Sequence, residues 1–125
     1  MAGESILVVD DNPTNLKLVS FLLVKRGYQV RSASGAQEAL EALKEFHPAL
    51  ILMDMQMPGI DGFELTRRLK ADTATQGISI IALTAYAMKG DEERVRAAGC
   101  DGYMSKPIDT RALPEAVASW LAARK

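Results

Sequence analysis

The chain has 125 residues, of which 48% are hydrophobic and 25% charged, ordinary proportions for a soluble globular protein. One domain of this length buries a sizeable core without disulfides or a structural metal. A formal charge of -1 offers no strong field to nucleic acid or an anionic lipid surface, and the basic residues are scattered (Arg67-Arg68, Arg94, Arg96, Arg124-Lys125). The one cysteine, Cys100, excludes an internal disulfide and a multi-cysteine zinc site. No apolar stretch reaches the roughly 18 residues of a bilayer span. Met1-Ala2-Gly3-Glu4 lacks a secretory pattern, so a cytoplasmic protein is expected.

The first strand-like run, Ser5–Val9, ends on two carboxylates, Asp10 and Asp11. Asn12-Pro13 then reads as an N-cap with proline at the first helical position. Leu16, Val19, Phe21 and Leu23 continue that helix to a stop at Gly27. Tyr28–Ser32 alternates and suits an edge strand. Ser34-Gly35-Ala36-Gln37 has capping-box spacing and opens a second helix, with Ala36, Ala39, Leu40 and Leu43 on one face. Leu50–Met53 is apolar throughout and is followed by Asp54. Asp61-Gly62-Phe63-Glu64 repeats the capping signature for a third helix ending near Asp72. Ile78–Leu83 predicts a fourth strand, with Thr84 next. A fourth helix is expected from near Lys89–Asp91 to Gly99, its thin apolar stripe implying loose packing. Gly102–Ser105 predicts a fifth strand, followed by Lys106-Pro107. The last helix carries Leu113, Ala116, Val117, Trp120 and Leu121, and Pro114 fits it only in the first turn.

Five strand–helix repeats predict an α/β fold. The expected form is a (βα)₅ flavodoxin-like three-layer sandwich with a parallel five-stranded sheet in the order 2-1-3-4-5. The continuous apolar runs suit strands buried on both faces. In that order the first and third strands are neighbours at the topological switch point, where ligands bind at the carboxyl ends. Asp10, Asp11 and Asp54 would converge there.

Acids at a helix N-terminus are commonplace as caps. Three clustered carboxylates, however, repel one another unless a cation sits among them. An all-oxygen set suits Mg²⁺. A flavin or dinucleotide phosphate placed on this pair would be repelled, and such a loop would also want glycines. Lys106 would point at the cluster, where its charge suits a phosphoryl oxygen. The Thr84 hydroxyl would lie at the same edge as a hydrogen-bond donor.

Val9-Asp10-Asp11-Asn12, Leu52-Met53-Asp54-Met55-Gln56-Met57-Pro58-Gly59-Ile60-Asp61-Gly62, Leu83-Thr84-Ala85 and Tyr103-Met104-Ser105-Lys106-Pro107 follow one another in a familiar order and spacing. In these pieces the chain resembles the receiver domains of two-component response regulators, the CheY-like family, over essentially its whole length. The stretch Thr84–Lys106 also resembles single-domain receivers of the DivK type, and similar stretches occur in receivers attached to hybrid histidine kinases. The resemblance implies that Asp54 is the nucleophile and phosphoacceptor. Asp11, Asp54 and the Gln56 carbonyl would bind Mg²⁺ directly, with Asp10 acting mostly through water. Lys106 would contact the phosphoryl group. Thr84 and the Ala85 amide would move to bind it, and Tyr103 would turn inward into the space released. Gln56 and Tyr86 would border the path of attacking water, and bulk at Tyr86 is expected to slow loss of the phosphoryl group.

The implied function is a phosphorelay switch in a single receiver domain over residues 1–125, with no separate substrate turnover. A histidine kinase or histidine phosphotransfer domain would be the donor. A downstream protein would be bound through the face of the fourth helix, fifth strand and fifth helix. A monomer or a weak phosphorylation-dependent dimer is expected, without nucleic-acid or membrane contact. An aspartyl-phosphate phosphatase would generally carry an acid where Gln56 stands. A flavodoxin is disfavoured by the acidic first loop, and a degenerate docking module by the intact set Asp10, Asp11, Asp54, Thr84 and Lys106. Met53, Met55 and Met57 read as packing rather than as sulfur ligands. His47 reads as a surface residue, and Tyr28 and Trp120 as packing.

Overall fold

Apolar strands alternating with amphipathic helices bury both sheet faces only when helices cover both sides. The computed structural model, which describes residues 3–55, 62–84, 89–105 and 108–123, has this architecture. The elements are β1 (Ser5–Val9), α1 (Pro13–Lys25), β2 (Gln29–Ala33), α2 (Ala36–Ala42), β3 (Leu50–Asp54), α3 (Gly62–Ala71), β4 (Ser79–Thr84), α4 (Lys89–Ala98), β5 (Gly102–Ser105) and α5 (Ala112–Ala123). The sheet is parallel, in the expected order β2-β1-β3-β4-β5.

Strand alternation divides the core into two layers. Ile6, Val8, Leu50, Leu52, Ile81 and Leu83 face Val19 and Leu23 of α1 and Leu113, Val117 and Leu121 of α5. Leu7, Val9, Ile51, Met53, Ile80 and Ala82 face residues of α2, α3 and α4. Right-handed crossovers explain the division: the chain moves outward from β1 to β2, then reverses and moves through β3, β4 and β5, so the helices change face at the reversal.

Helix ends follow local chemistry, with some shifts from expectation. Asn12 caps α1 as predicted, its side chain accepting from Thr14 N at 2.9 Å and Asn15 N at 3.2 Å, with Pro13 opening the helix. Gly27 (φ 93) provides the left-handed turn out of that helix. Phe21 is not part of the inward stripe: it is 63% exposed. At about 100° per residue it lies about 200° around the helix from buried Val19. The capping box before α2 is displaced. Gly35 is the N-cap, and Ser34 uses its N–H and hydroxyl on the Glu38 carboxylate, at 2.9 and 2.6 Å, rather than on Gln37. These bonds hold the Glu38 carboxyl below its ordinary range.

The second strand starts one residue later than predicted, because Tyr28 N turns back to Leu23 O at 3.2 Å. The third and fourth strands each run one residue further, taking in Asp54 and Thr84. Pro114 lies in the first turn of α5, as its missing N–H requires.

At the amino edge of the sheet, Lys70 joins three segments. Its ammonium donates to Gln76 O at 3.3 Å, Ile78 O at 2.9 Å and Asp101 Oδ2 at 3.0 Å. The same Asp101 oxygen accepts from Ile80 N at 2.8 Å, and Asp101 N donates to Ile80 O at 2.7 Å. Gly99 (φ 108) lies against this lysine, where a Cβ would stand 3.0 Å from Lys70 Cγ. Nearby Cys100 is buried, as its small neighbours suggested. Burial pushes its thiol up to about 11, while the Thr66 hydroxyl, 3.8 Å away, pulls the other way.

Lys70→Met keeps the apolar stem and leaves two carbonyls and Asp101 without the ammonium. Urea denaturation is expected to show a loss of about 1–3 kcal/mol. The Cys100 thiol ordinarily ionises at 9.0, and its folded value is raised. It therefore contributes stability that is full below pH 9 and lost as pH rises through about 11. The urea midpoint of wild type should fall over that window by more than that of Cys100→Ala. An equal fall would remove the assignment.

Candidate functional site

Strand register builds the site. Val9 pairs with Met53, so the next residues, Asp10 and Asp54, emerge side by side at the carboxyl edge. Asp54 itself pairs with Leu83, and Met55 N extends the ladder to Leu83 O at 3.0 Å. Asp10 is fixed by its N–H on Ala33 O at 3.1 Å and by Asn12 N, which donates to Asp10 Oδ1 at 2.9 Å. The same asparagine caps α1, so the turn that shapes the acidic pair also starts the helix.

One carboxylate oxygen from each of Asp10, Asp11 and Asp54 lies within 4.8 Å of the others. Asp10 and Asp54 are each 1% exposed, whereas Asp11 is open to solvent. Two desolvated carboxylates and one solvated carboxylate form a hard, all-oxygen donor set, open on one side, of the kind that accommodates a divalent cation. Thr84 ends β4 on the same edge, buried, and pairs with Ser105. Tyr103 is half-buried on β5 and packs against the layer formed with α2, α3 and α4. The predicted residues Gln56, Ala85, Tyr86 and Lys106 lie outside the described residues.

The residues assigned to packing behave accordingly. Met53 and Met55 are buried in the apolar layer, and Met57 lies outside the described residues. His47 is exposed. Tyr28 is buried in the other layer, against which Trp120 packs. A contact with no signal in the sequence joins the two helices that follow β3 and β4: the Arg94 guanidinium lies 4.6 Å above the Phe63 ring. Its partners fall on one seam only after both helices have packed on the sheet.

Residues 6–118 match the response regulator receiver domain family. The chain belongs to that family and is a receiver domain of two-component signal transduction, a signalling switch rather than a metabolic enzyme. It is 47% identical over 119 residues to the polar-differentiation response regulator DivK of Brucella ovis, covering 94% of this chain and 96% of that one. Among solved structures it is similar to the receiver domain of a sensor histidine kinase from Pseudomonas aeruginosa, which has a magnesium ion coordinated in its active-site cleft. That match has a TM-score of 0.87 and 34% identity, over 98% of this chain and 100% of the other. It is also similar to the chemotaxis protein CheY4 of Vibrio cholerae, with a TM-score of 0.89 and 26% identity over 94% and 98% of the two chains. Among the described residues, no helix is long and apolar enough to cross a membrane.

The carboxylate cluster should cost stability when no cation is present. Two unit charges about 5 Å apart repel by about 3 kcal/mol at an effective dielectric of about 20. In metal-free buffer Asp54→Asn is therefore expected to raise stability by about 1–3 kcal/mol in urea denaturation. A variant no more stable than wild type would show that the cluster carries little repulsion.

Proposed function

We propose that this receiver accepts a phosphoryl group on Asp54 from a phosphohistidine of a histidine kinase or a phosphotransfer domain. The convergence of Asp10, Asp11 and Asp54 within 4.8 Å carries the reading. In the transfer, an Asp54 carboxylate oxygen forms the new P–O bond. The P–N bond breaks, and the imidazole nitrogen keeps the electron pair. Little covalent help is needed, because such transfers depend on in-line positioning and neutralisation of charge.

Mg²⁺ suits the three carboxylates, and the magnesium-bound Pseudomonas receiver supports that choice of ion. When bound, it supplies positive charge beside the transferred phosphoryl oxygens. Asp11 and Asp54 would hold it together with the Gln56 carbonyl, and Asp10 would act through water. Lys106 is assigned to the phosphoryl group. Thr84, with the Ala85 amide, would read its presence, and Tyr103 would turn inward in response. The output face is assigned to α4, β5 and α5, where a few kcal/mol of differential affinity suffice to move a two-state population. A single receiver domain over residues 1–125, acting in the cytoplasm and turning over no separate substrate, completes the reading.

Intact mass after incubation with acetyl phosphate and Mg²⁺ tests it. Wild type should gain one phosphoryl group, Asp54→Asn none, and EDTA added beforehand should abolish the gain. Unmodified wild type would move the assignment to a phosphate-independent docking module. Equal labelling of Asp54→Asn would place the acceptor elsewhere.

A further inference from the structure

Gly62, the first residue of α3, is closed directly onto the backbone of the proposed phosphoacceptor. A Cβ there would stand 2.5 Å from the Asp54 carbonyl oxygen, 2.8 Å from Met55 Cα and 3.0 Å from Met55 Sδ. The first two are backbone atoms. They are tied to β4 by the pairing of Asp54 with Leu83 and by the Met55 N–H on Leu83 O at 3.0 Å. Neither can swing aside as the tip of a flexible side chain would.

The demand for glycine comes from this contact alone. Among the described residues the positive-φ glycines are Gly3, Gly27 and Gly99, so the helical backbone of Gly62 is open to any residue. A position where space alone excludes a side chain, against the backbone of Asp54, has a reason beyond helix formation.

We propose that Gly62 is a positioning residue for Asp54. Its missing side chain lets α3 seat on the Asp54–Met55 peptide, and this seat keeps the Asp54 carboxylate in register with Asp10 and Asp11. The inference rests on the reading of Asp54 as phosphoacceptor beside a Mg²⁺ site. The inner residues of β3 are paired on both sides, whereas the β1 ladder ends at Val9 and Met53. A methyl group at position 62 would therefore displace Asp54 and Met55 before it displaced the inner strand. A site that tolerates only about 0.5 Å of error would register such a shift.

The test compares Gly62→Ala with Gly77→Ala, a control position where a Cβ meets nothing within 4 Å. Mg²⁺ affinity is measured by calorimetry on folded protein. The rate of acetyl-phosphate labelling is measured at saturating Mg²⁺, and stability by thermal melting. Gly62→Ala should weaken Mg²⁺ binding and slow labelling by about 10- to 100-fold each, and should melt lower, while Gly77→Ala keeps the wild-type affinity and rate. A Gly62→Ala protein that melts lower yet binds Mg²⁺ and labels as wild type has lost only packing, and overturns the proposal. One that melts higher overturns it too.

Should Gly62→Ala fail to fold, wild type carries the test in a Mg²⁺ titration followed by amide NMR. The Gly62 amide should move with the midpoint of the Asp54 amide, and a Gly62 amide that stays still at saturation overturns the proposal. Wild type that neither binds Mg²⁺ nor labels overturns the phosphoacceptor reading itself. A competent wild type with an unaltered Gly62→Ala overturns the positioning role alone.

Discussion

Three carboxylates held within 4.8 Å of one another, two of them almost fully withdrawn from water, are an unfavourable arrangement that the sheet must enforce. It does so through the pairing of β1 with β3, which brings Val9 against Met53 and leaves Asp10 and Asp54 as neighbours where the strands end. That pairing depends in turn on the reversal of winding between β2 and β3. A sheet of the same strands wound in one direction would set β1 and β3 apart and scatter the acids. The apolar layers on both faces supply the stability against which this repulsion is borne.

Lys70 and Asp101 fasten the helices beside the site at the sheet edge opposite the carboxylates. At the carboxyl ends of α3 and α4, Lys70 and Asp101 tie together α3, the segment before β4 and the turn into β5 through charge-assisted hydrogen bonds. The amino ends follow β3 and β4, the strands that carry Asp54 and Thr84. Between the two helices, Phe63 at the start of α3 meets Arg94 in the middle of α4 by a ring–guanidinium contact, which is less directional than the lysine's three hydrogen bonds. At its amino end α3 is seated through Gly62 on the Asp54–Met55 backbone, so both of its ends are held by close contacts.

Much of this was legible in the sequence, because the strongest signals are local. Ser5–Val9 and Gly102–Ser105 are strands from end to end as read. Asn12-Pro13 announces a helix start by a mechanism confined to four residues. The strand order followed from alternation and handedness, and with it the meeting of Asp10, Asp11 and Asp54. The misreadings depended on neighbours. Phe21 looked like core because it is large and apolar, but its angle on α1 turns it to solvent. Ser34 had two acceptors within reach and used Glu38. Lys70 with Asp101, Phe63 with Arg94 and Gly62 against Asp54 join residues that share no local pattern, and packing alone brings them together.

The fold does not by itself distinguish a phosphoryl switch from a protein that cradles a nucleotide at the same switch point. The described side chains at that edge weigh against the nucleotide. A bound phosphate ester needs donors, such as glycine amides at a helix N-terminus. Here the first loop after β1 offers two carboxylates, and Asn12 spends its side chain on the free amides of α1. Among the described residues the amides are satisfied and three carboxylates converge, a set that suits a cation better than a phosphate arriving alone. Of the three carboxylates, Asp54 is the central one, on the strand that lies between β1 and β4.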